Sequence, residues 1–171
     1  MKLLLKKKIN LINFLKKLNL ILFFVTSNKN IKIKNKNARI EIFKSVNNQN
    51  YEISYLKSKR FKNKSLFIIL KDKKKLIGTG WLYFGKEEWL ISEINKKIQI
   101  KNYYLLYDFM IIKKFRNMSY YSDFLKLIKK NFSRNNLCIY TTFNNFNSFR
   151  GIRSSGFFLQ KIISKFFTLK L

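Results

Sequence analysis

The chain has 171 residues, 47% of them hydrophobic, which is material for one domain with a real core and excludes a disordered tail or two generous domains. It holds no His and one Cys, so an internal disulfide, zinc sites of the His/Cys kind and His-based triads are excluded. A formal net charge of +29 would point to nucleic acid or an anionic membrane. However, a chain with no Pro and five Gly that is rich in Lys, Asn, Ile, Phe and Tyr has the profile AT-rich codon usage imposes. The lysines are scattered nearly everywhere, which favours drift on solvated surfaces over a nucleic-acid patch. Any general base must be a carboxylate, a Tyr or a water held by backbone.

Residues 1–25 predict a helix. Lys2, Lys6, Asn10, Asn13 and Lys17 fall in one polar stripe, and Leu4, Leu11, Leu15, Leu18 and Leu22 on an apolar face. Such a basic amphipathic helix either lies on an anionic membrane surface or packs on the domain. A third reading is a secretory leader with residues 18–25 as its apolar region and Ser27 as the last residue before cleavage. The run is too short to span a bilayer.

Residues 28–37, NKNIKIKNKN, read as a polar linker, with a solvated edge strand through Ile31 and Ile33 as the competing reading. The folded domain is placed at 38–171, after an N-terminal helix and linker at 1–37. Residues 38–46 alternate Ile40 and Ile42 (inner) against Arg39 and Glu41 (outer), as a first strand does. Residues 47–64 are polar, with a short helix predicted over 51–59.

Residues 65–72 and 75–84 predict a hairpin turning at residues 72–74. Gly78 and Gly80 in its second strand mark a bulge or a close backbone approach. Trp81 and Tyr83 are expected to share a face with Ile77, as core or as a platform for an acceptor. Residues 85–102 carry Glu87, Glu88 and Glu93, three of the eight acids in the chain. They either bind an amine or orient a water, or they are a solvated loop.

Residues 103–112 form an apolar run suited to a central strand. A polar turn follows, Arg116-Asn117-Met118-Ser119-Tyr120-Tyr121, and then a helix over 119–132 that buries Phe124, Leu125, Ile128 and Phe132 with Lys126, Lys129 and Lys130 outward. A tight turn into a helix N-terminus offers unpaired N–H groups and the positive dipole end to a pyrophosphate. Ser119 suits an N-cap, and Asn117 tolerates the left-handed region. Residues 136–142 predict a strand, with Cys138 as a buried structural thiol. Residues 145–157, NFNSFRGIRSSGF, read as a short helix opened by Asn145 and ended by Gly156.

These two stretches, in this order and spacing, resemble the acetyl-CoA-binding half of GNAT N-acetyltransferases. The first matches the family's strand ending in V-x-P followed by R/Q-x-x-G-x-G/A, with Ile111 at the V position and Lys113 where Pro is usual. Ser119 and Tyr121 stand in place of the two motif glycines, and the loop is similar to the RGKGIY variant of members linked to surface-polysaccharide and sugar modification. The second matches N-x-x-A/S-x-x-x-(Y)-x-x-x-G-F through Asn145, Ser148, Gly156 and Phe157, with Ile152 where the tyrosine acid is usual.

The resemblance covers residues 66–169. It implies an α/β fold with a mixed, mostly antiparallel sheet of about six strands flanked by helices. It implies acyl transfer from acetyl-CoA to a primary amine, an amino sugar by the subgroup likeness, in the cytoplasm or at the inner membrane face. Cofactor binding is implied for Met110, Ile111, Ile112, Arg116, Asn117, Met118, Ser119, Tyr120, Tyr121, Asn145 and Ser148. Asp108 is the first expectation for the base and Glu93 the second. The alternative is a non-catalytic basic module of the same shape that binds RNA or an anionic membrane.

Overall fold

The computed structural model describes residues 19–27, 32–44, 64–85 and 87–171. In chain order the strands are β1 (Ile21–Thr26), β2 (Ala38–Phe43), β3 (Ser65–Asp72), β4 (Lys75–Tyr83), β5 (Glu88–Ile91), β6 (Lys96–Gln99), β7 (Tyr104–Ile111), β8 (Leu137–Thr142), β9 (Phe157–Ile163) and β10 (Thr168–Lys170). The helices are α1 (Tyr120–Asn131) and α2 (Phe146–Ser154). Eight strands form one sheet in the order β10-β9-β1-β8-β7-β4-β3-β2, and β5-β6 stand apart as a hairpin. Among the described residues only β7 and β8 pair in parallel. The fold is thus the expected mixed, mostly antiparallel α/β architecture, with more strands than predicted.

One added strand overturns the helix predicted over residues 21–25. β1 lies between β8 and β9 and pairs with both. Leu22 and Phe24 enter the core beneath the helices, while Ile21, Phe23 and Val25 enter the core on the other face. An unbroken apolar run carries no polar position that would show its period; burial on both faces and its Ile, Phe and Val content favour the strand. Residues 21–25 therefore cannot lie on a membrane surface. Residues 1–18 of that predicted helix, and the helix predicted over 51–59, lie outside the described residues. Among the described residues no helix is long and apolar enough to cross a membrane.

Residues 32–37 are not a free linker. The backbone N–H groups of Lys34 and Asn35 donate to Asp123 Oδ2 at 3.1 and 2.8 Å, which docks the segment on α1. Lys126, predicted to point outward, is buried instead: its ammonium donates to Asp123 Oδ1 and to the Lys32 carbonyl, both at 3.0 Å. On the edge strand β2, Ala38 and Ile40 pack into the helix-side core, but Ile42 is 37% exposed rather than inward.

Both described helices cover one face of the sheet through Phe124, Leu125, Ile128 and Ile152. The β5–β6 hairpin, formed by the residues predicted as an acidic loop, covers part of the other face through Trp89, Ile91, Ile94 and Ile98. Trp81 and Tyr83 belong to this second face, whereas Ile77 belongs to the first. The cause is a β-bulge: Gly78 pairs with Leu70 and Leu76 with Lys71, so Ile77 is the extra residue and leaves the alternation. Cys138 is fully buried and its thiol is pushed well up by that burial, which fits a structural role.

Candidate active site

The site is made by a fork in the sheet. β7 and β8 pair only at Tyr104↔Leu137, Leu105↔Cys138 and Leu106↔Ile139; beyond that both strands continue without a mutual ladder. A bulge in β7 lies where the strands separate. Trp81 pairs with Tyr107 and Thr79 with Met110, so Asp108 and Phe109 both stand opposite Gly80. Asp108 takes a left-handed φ of 50°, and it and Met110 are exposed. The two glycines flagged in β4 allow this geometry. A Cβ on Gly80 would overlap the Phe109 ring, and one on Gly78 would lie 2.5 Å from the Met110 carbonyl oxygen. The fork leaves strand edges facing a gap that an extended, amide-bearing chain can enter as an added strand. Not every predicted backbone group is available there: the Ile112 N–H donates to the Ile77 carbonyl at 2.9 Å.

At the end of β7 the chain turns into α1 through the predicted loop. Asn117 and Ser119 hold φ of 64° and 63°, so Ser119, one of the two positions where the resemblance places glycine, adopts the left-handed backbone that glycine favours, whereas Tyr121, the other, lies in α1. Ser119 is the N-cap residue by position, but its side chain makes no capping bond, because capping requires an extended rather than a left-handed backbone. The N–H groups in the first turn of α1, including Tyr120 and Tyr121, have no carbonyl one turn back. They and the positive end of the helix dipole follow directly on the loop at the end of β7, an arrangement that can hold an anion. Arg116 is exposed, and its Nε donates to the Ile111 carbonyl at 3.1 Å, laying the guanidinium along the loop.

Four of the predicted cofactor residues have structural work for their side chains. The Tyr120 hydroxyl donates to Asp72 Oδ2 at 2.6 Å, tying the start of α1 to the β3–β4 turn. The Tyr121 phenol, pushed up by burial, is hydrogen-bonded to Ser148 and lies against Gly151. Tyr121 and Ser148 thus brace α1 against α2. Asn145 Oδ1 accepts the Ser148 N–H at 3.1 Å and caps α2. Gly156, with φ of 85°, follows the end of that helix and donates to the Arg153 carbonyl, as predicted. Its own carbonyl accepts from the Ser27 hydroxyl at 2.7 Å.

Asp108 and Glu93 come from different elements, the bulge of β7 and the 3₁₀ turn Ser92–Ile94, yet act on one group. The Tyr140 phenol on β8 is raised first by burial, against a hydrogen bond from Trp89, and further by the charges of Glu93 and Asp108. Trp89 Nε1 lies 3.5 Å from the Tyr140 oxygen, and its ring centroid is 4.7 Å from that of Tyr107. Two exposed carboxylates therefore lie within electrostatic reach of Tyr140, which with Tyr107 and Trp89 forms an aromatic floor at the point where the strands part. The sequence reading missed these three aromatics. Strand register, once known, points to two of them, since Tyr140 follows the last paired residue of β8 as Tyr107 follows that of β7; Trp89, on the separate hairpin, carries no such signal.

No family model and no curated protein matches this chain. Its fold is similar to solved structures. One is an acetyltransferase from the GNAT family of Colwellia psychrerythraea, at TM-score 0.54 and 14% identity over 82% of this chain and 52% of that one. A second is a candidate acetyltransferase from the GNAT family of Novosphingobium aromaticivorans, at TM-score 0.52 and 8% identity over 84% and 61% of the respective chains. A third is a functionally unknown conserved protein from Staphylococcus epidermidis, at TM-score 0.52 and 10% identity over 89% and 64%. This chain therefore spans about half to two thirds of the length of each of the three. At these identities the likeness is one of fold.

Proposed function

We propose that the protein transfers an acetyl group from acetyl-CoA to a primary amine. The observation that carries the reading is the bulged fork between β7 and β8 running straight into a left-handed loop and a helix N-terminus. The fork fits the extended pantetheine arm, and residues 116–119 with the first turn of α1 fit the pyrophosphate. The cofactor supplies an activated acyl group as its thioester. The chain's own residues draw in and deprotonate the amine: Glu93 and Asp108 attract the ammonium over the Tyr107–Trp89–Tyr140 floor, and Asp108 accepts its proton before attack; the new N–C bond replaces the thioester C–S bond, and the thiolate of the donor leaves and takes its proton from water. Asp108 is the better base because it belongs to the bulge itself. An amino sugar as acceptor and a cytoplasmic location rest on the sequence likeness to sugar-modifying acetyltransferases.

Calorimetric titration of the purified protein with acetyl-CoA, desulfo-CoA and ATP at moderate salt tests the reading. Saturable binding of both CoA forms, weaker binding of ATP and loss in Arg116→Glu support it. Equal, salt-sensitive binding of all three would replace it with a general polyanion surface, which the net charge of +29 makes the competing reading. For the chemistry, Asp108→Asn is expected to lower turnover about 10²- to 10⁴-fold with acetyl-CoA affinity unchanged; turnover equal to the parent's would remove Asp108 from the role of base.

A further inference from the structure

Asn35 connects a segment far upstream in sequence to the loop at the end of the fork. Its side-chain amide donates twice, to Asp123 Oδ2 at 2.8 Å and to the Met118 carbonyl at 3.1 Å. Its backbone is fixed as well: the Asn35 N–H donates to the same Asp123 oxygen and its carbonyl accepts the Ala38 N–H at 3.0 Å. Asp123 is fully buried in the first turn of α1. It is neutralised there by the Lys126 ammonium, and Lys126 reaches on to the Lys32 carbonyl.

Met118 sits between the two left-handed residues Asn117 and Ser119. Its carbonyl direction depends on the peptide plane joining them, so a donor fixed on that oxygen restrains the pair as a unit. Glycine would reach this backbone without strain but would not hold it. Here the loop has no glycine, and a side chain from residue 35 supplies an external restraint. Asp123 matters for a second reason. An unneutralised carboxylate beside a helix N-terminus would oppose an incoming anion, and the donors from Asn35, Lys34 and Lys126 absorb its charge within the fold.

We infer that Asn35 is a positioning residue for the anion-binding loop, and that residues 32–37 thereby set the affinity of the site for a pyrophosphate-bearing cofactor. The inference rests on the reading of residues 116–119 as the pyrophosphate cradle. It adds to that cradle a residue outside the part of the chain that carries the family resemblance.

Two measurements on the full chain test it, with Asn35→Ala and Ile40→Val compared with the parent. Ile40→Val modestly loosens the packing of β2, just after the docked segment, and leaves the Asn35–Met118 bond and the Asp123–Lys126 pair intact. First, amide hydrogen exchange without ligand is expected to quicken at residues 117–120 in Asn35→Ala and to stay near the parent's in Ile40→Val. Second, acetyl-CoA is expected to bind Asn35→Ala about three- to tenfold more weakly, the worth of one neutral hydrogen bond. KM for the amine should stay unchanged. Equal effects of the two variants would mean that the segment only stabilises the fold and would overturn the inference. Unchanged exchange at residues 117–120 in Asn35→Ala would overturn it without any ligand. If exchange quickens but affinity for acetyl-CoA does not change, the link to the cofactor is refuted. A parent that does not bind acetyl-CoA at all refutes the reading of the site itself, and the cofactor part of the inference with it.

Discussion

Replacing Gly80 by Ala tests the origin of the fork. A Cβ at residue 80 would lie 2.6 and 2.7 Å from Cδ1 and Cζ of the Phe109 ring, well inside contact distance. That ring cannot simply swing away, because its centroid packs 5.1 Å from Phe124 and 6.3 Å from Tyr121. Overpacking of this kind costs about 1–3 kcal/mol. Removing a strand glycine returns about 0.5–1 kcal/mol of conformational entropy; because the ring is held on both sides, the upper half of the overpacking range applies and leaves a net loss of about 1–2 kcal/mol. For a chain of this size that lowers Tm by about 2–8 °C. Phe109 is also the residue beside Asp108 in the bulge, so the shift moves the carboxylate and is expected to lower the proposed acetyl transfer more than stability alone requires. The assay is urea unfolding of Gly80→Ala in the parent and in a Phe109→Ala background, where the space is already free. The penalty is expected to vanish in the second background. An equal penalty in both, or none in the parent, would refute the account of how β7 is bulged.

Gly151→Ala in α2 brings a Cβ within 2.8 Å of Tyr121 Cε1; despite the gain of about 1 kcal/mol in helix propensity, a net loss of about 1 kcal/mol is expected in urea unfolding. Ser119→Gly relieves a left-handed serine, worth about 1–2 kcal/mol, against about 0.5–1 kcal/mol of chain entropy. Its urea midpoint should rise by an amount equivalent to up to about 1 kcal/mol, and a fall would contradict the strained loop. Asp123→Asn breaks a fully buried ion pair and should cost about 3–5 kcal/mol at neutral pH. Burial raises the Asp123 carboxyl, but the Asn35 N–H, the Lys126 ammonium and the Lys34 N–H together hold it below its ordinary value of 3.8. Its contribution is therefore full above about pH 4 and is lost as pH falls through the lower native value. The stability gap between parent and Asp123→Asn should hold steady from neutral pH to about pH 4 and close below it; a pH-independent gap would contradict the assignment.

The sequence was most legible where a single local rule governed the outcome. The turn at residues 72–74, the helix opened by Asn145 and closed by Gly156, and the glycine-marked irregularity in β4 all follow from backbone chemistry within a few residues. It was least legible where a partner distant in sequence decides. β1 is a strand because β8 and β9, more than 100 residues later, flank it. Lys126 is inside because Asp123 and the Lys32 carbonyl receive its charge; by helical period alone it belongs outside. The floor of Tyr107, Trp89 and Tyr140 unites three elements, and no spacing within any one of them shows the others.

The missing glycines of the anion loop have a physical answer in the same long-range contacts. Two left-handed non-glycine positions on either side of Met118 each cost about 1–3 kcal/mol and persist only where surrounding groups fix them. Three side chains do so here: Arg116 on the Ile111 carbonyl before the loop, Asn35 on the Met118 carbonyl within it, and Tyr120 on Asp72 at the start of α1. Glycine makes such a loop accessible but leaves it mobile; these contacts make a strained loop the single conformation available. A site so preorganised loses less entropy on closing around an anion. The motif departure is therefore compatible with the proposed anion binding, provided the contacts come with it, and on that proposal residues 32–37 belong to the site as much as residues 116–119 do.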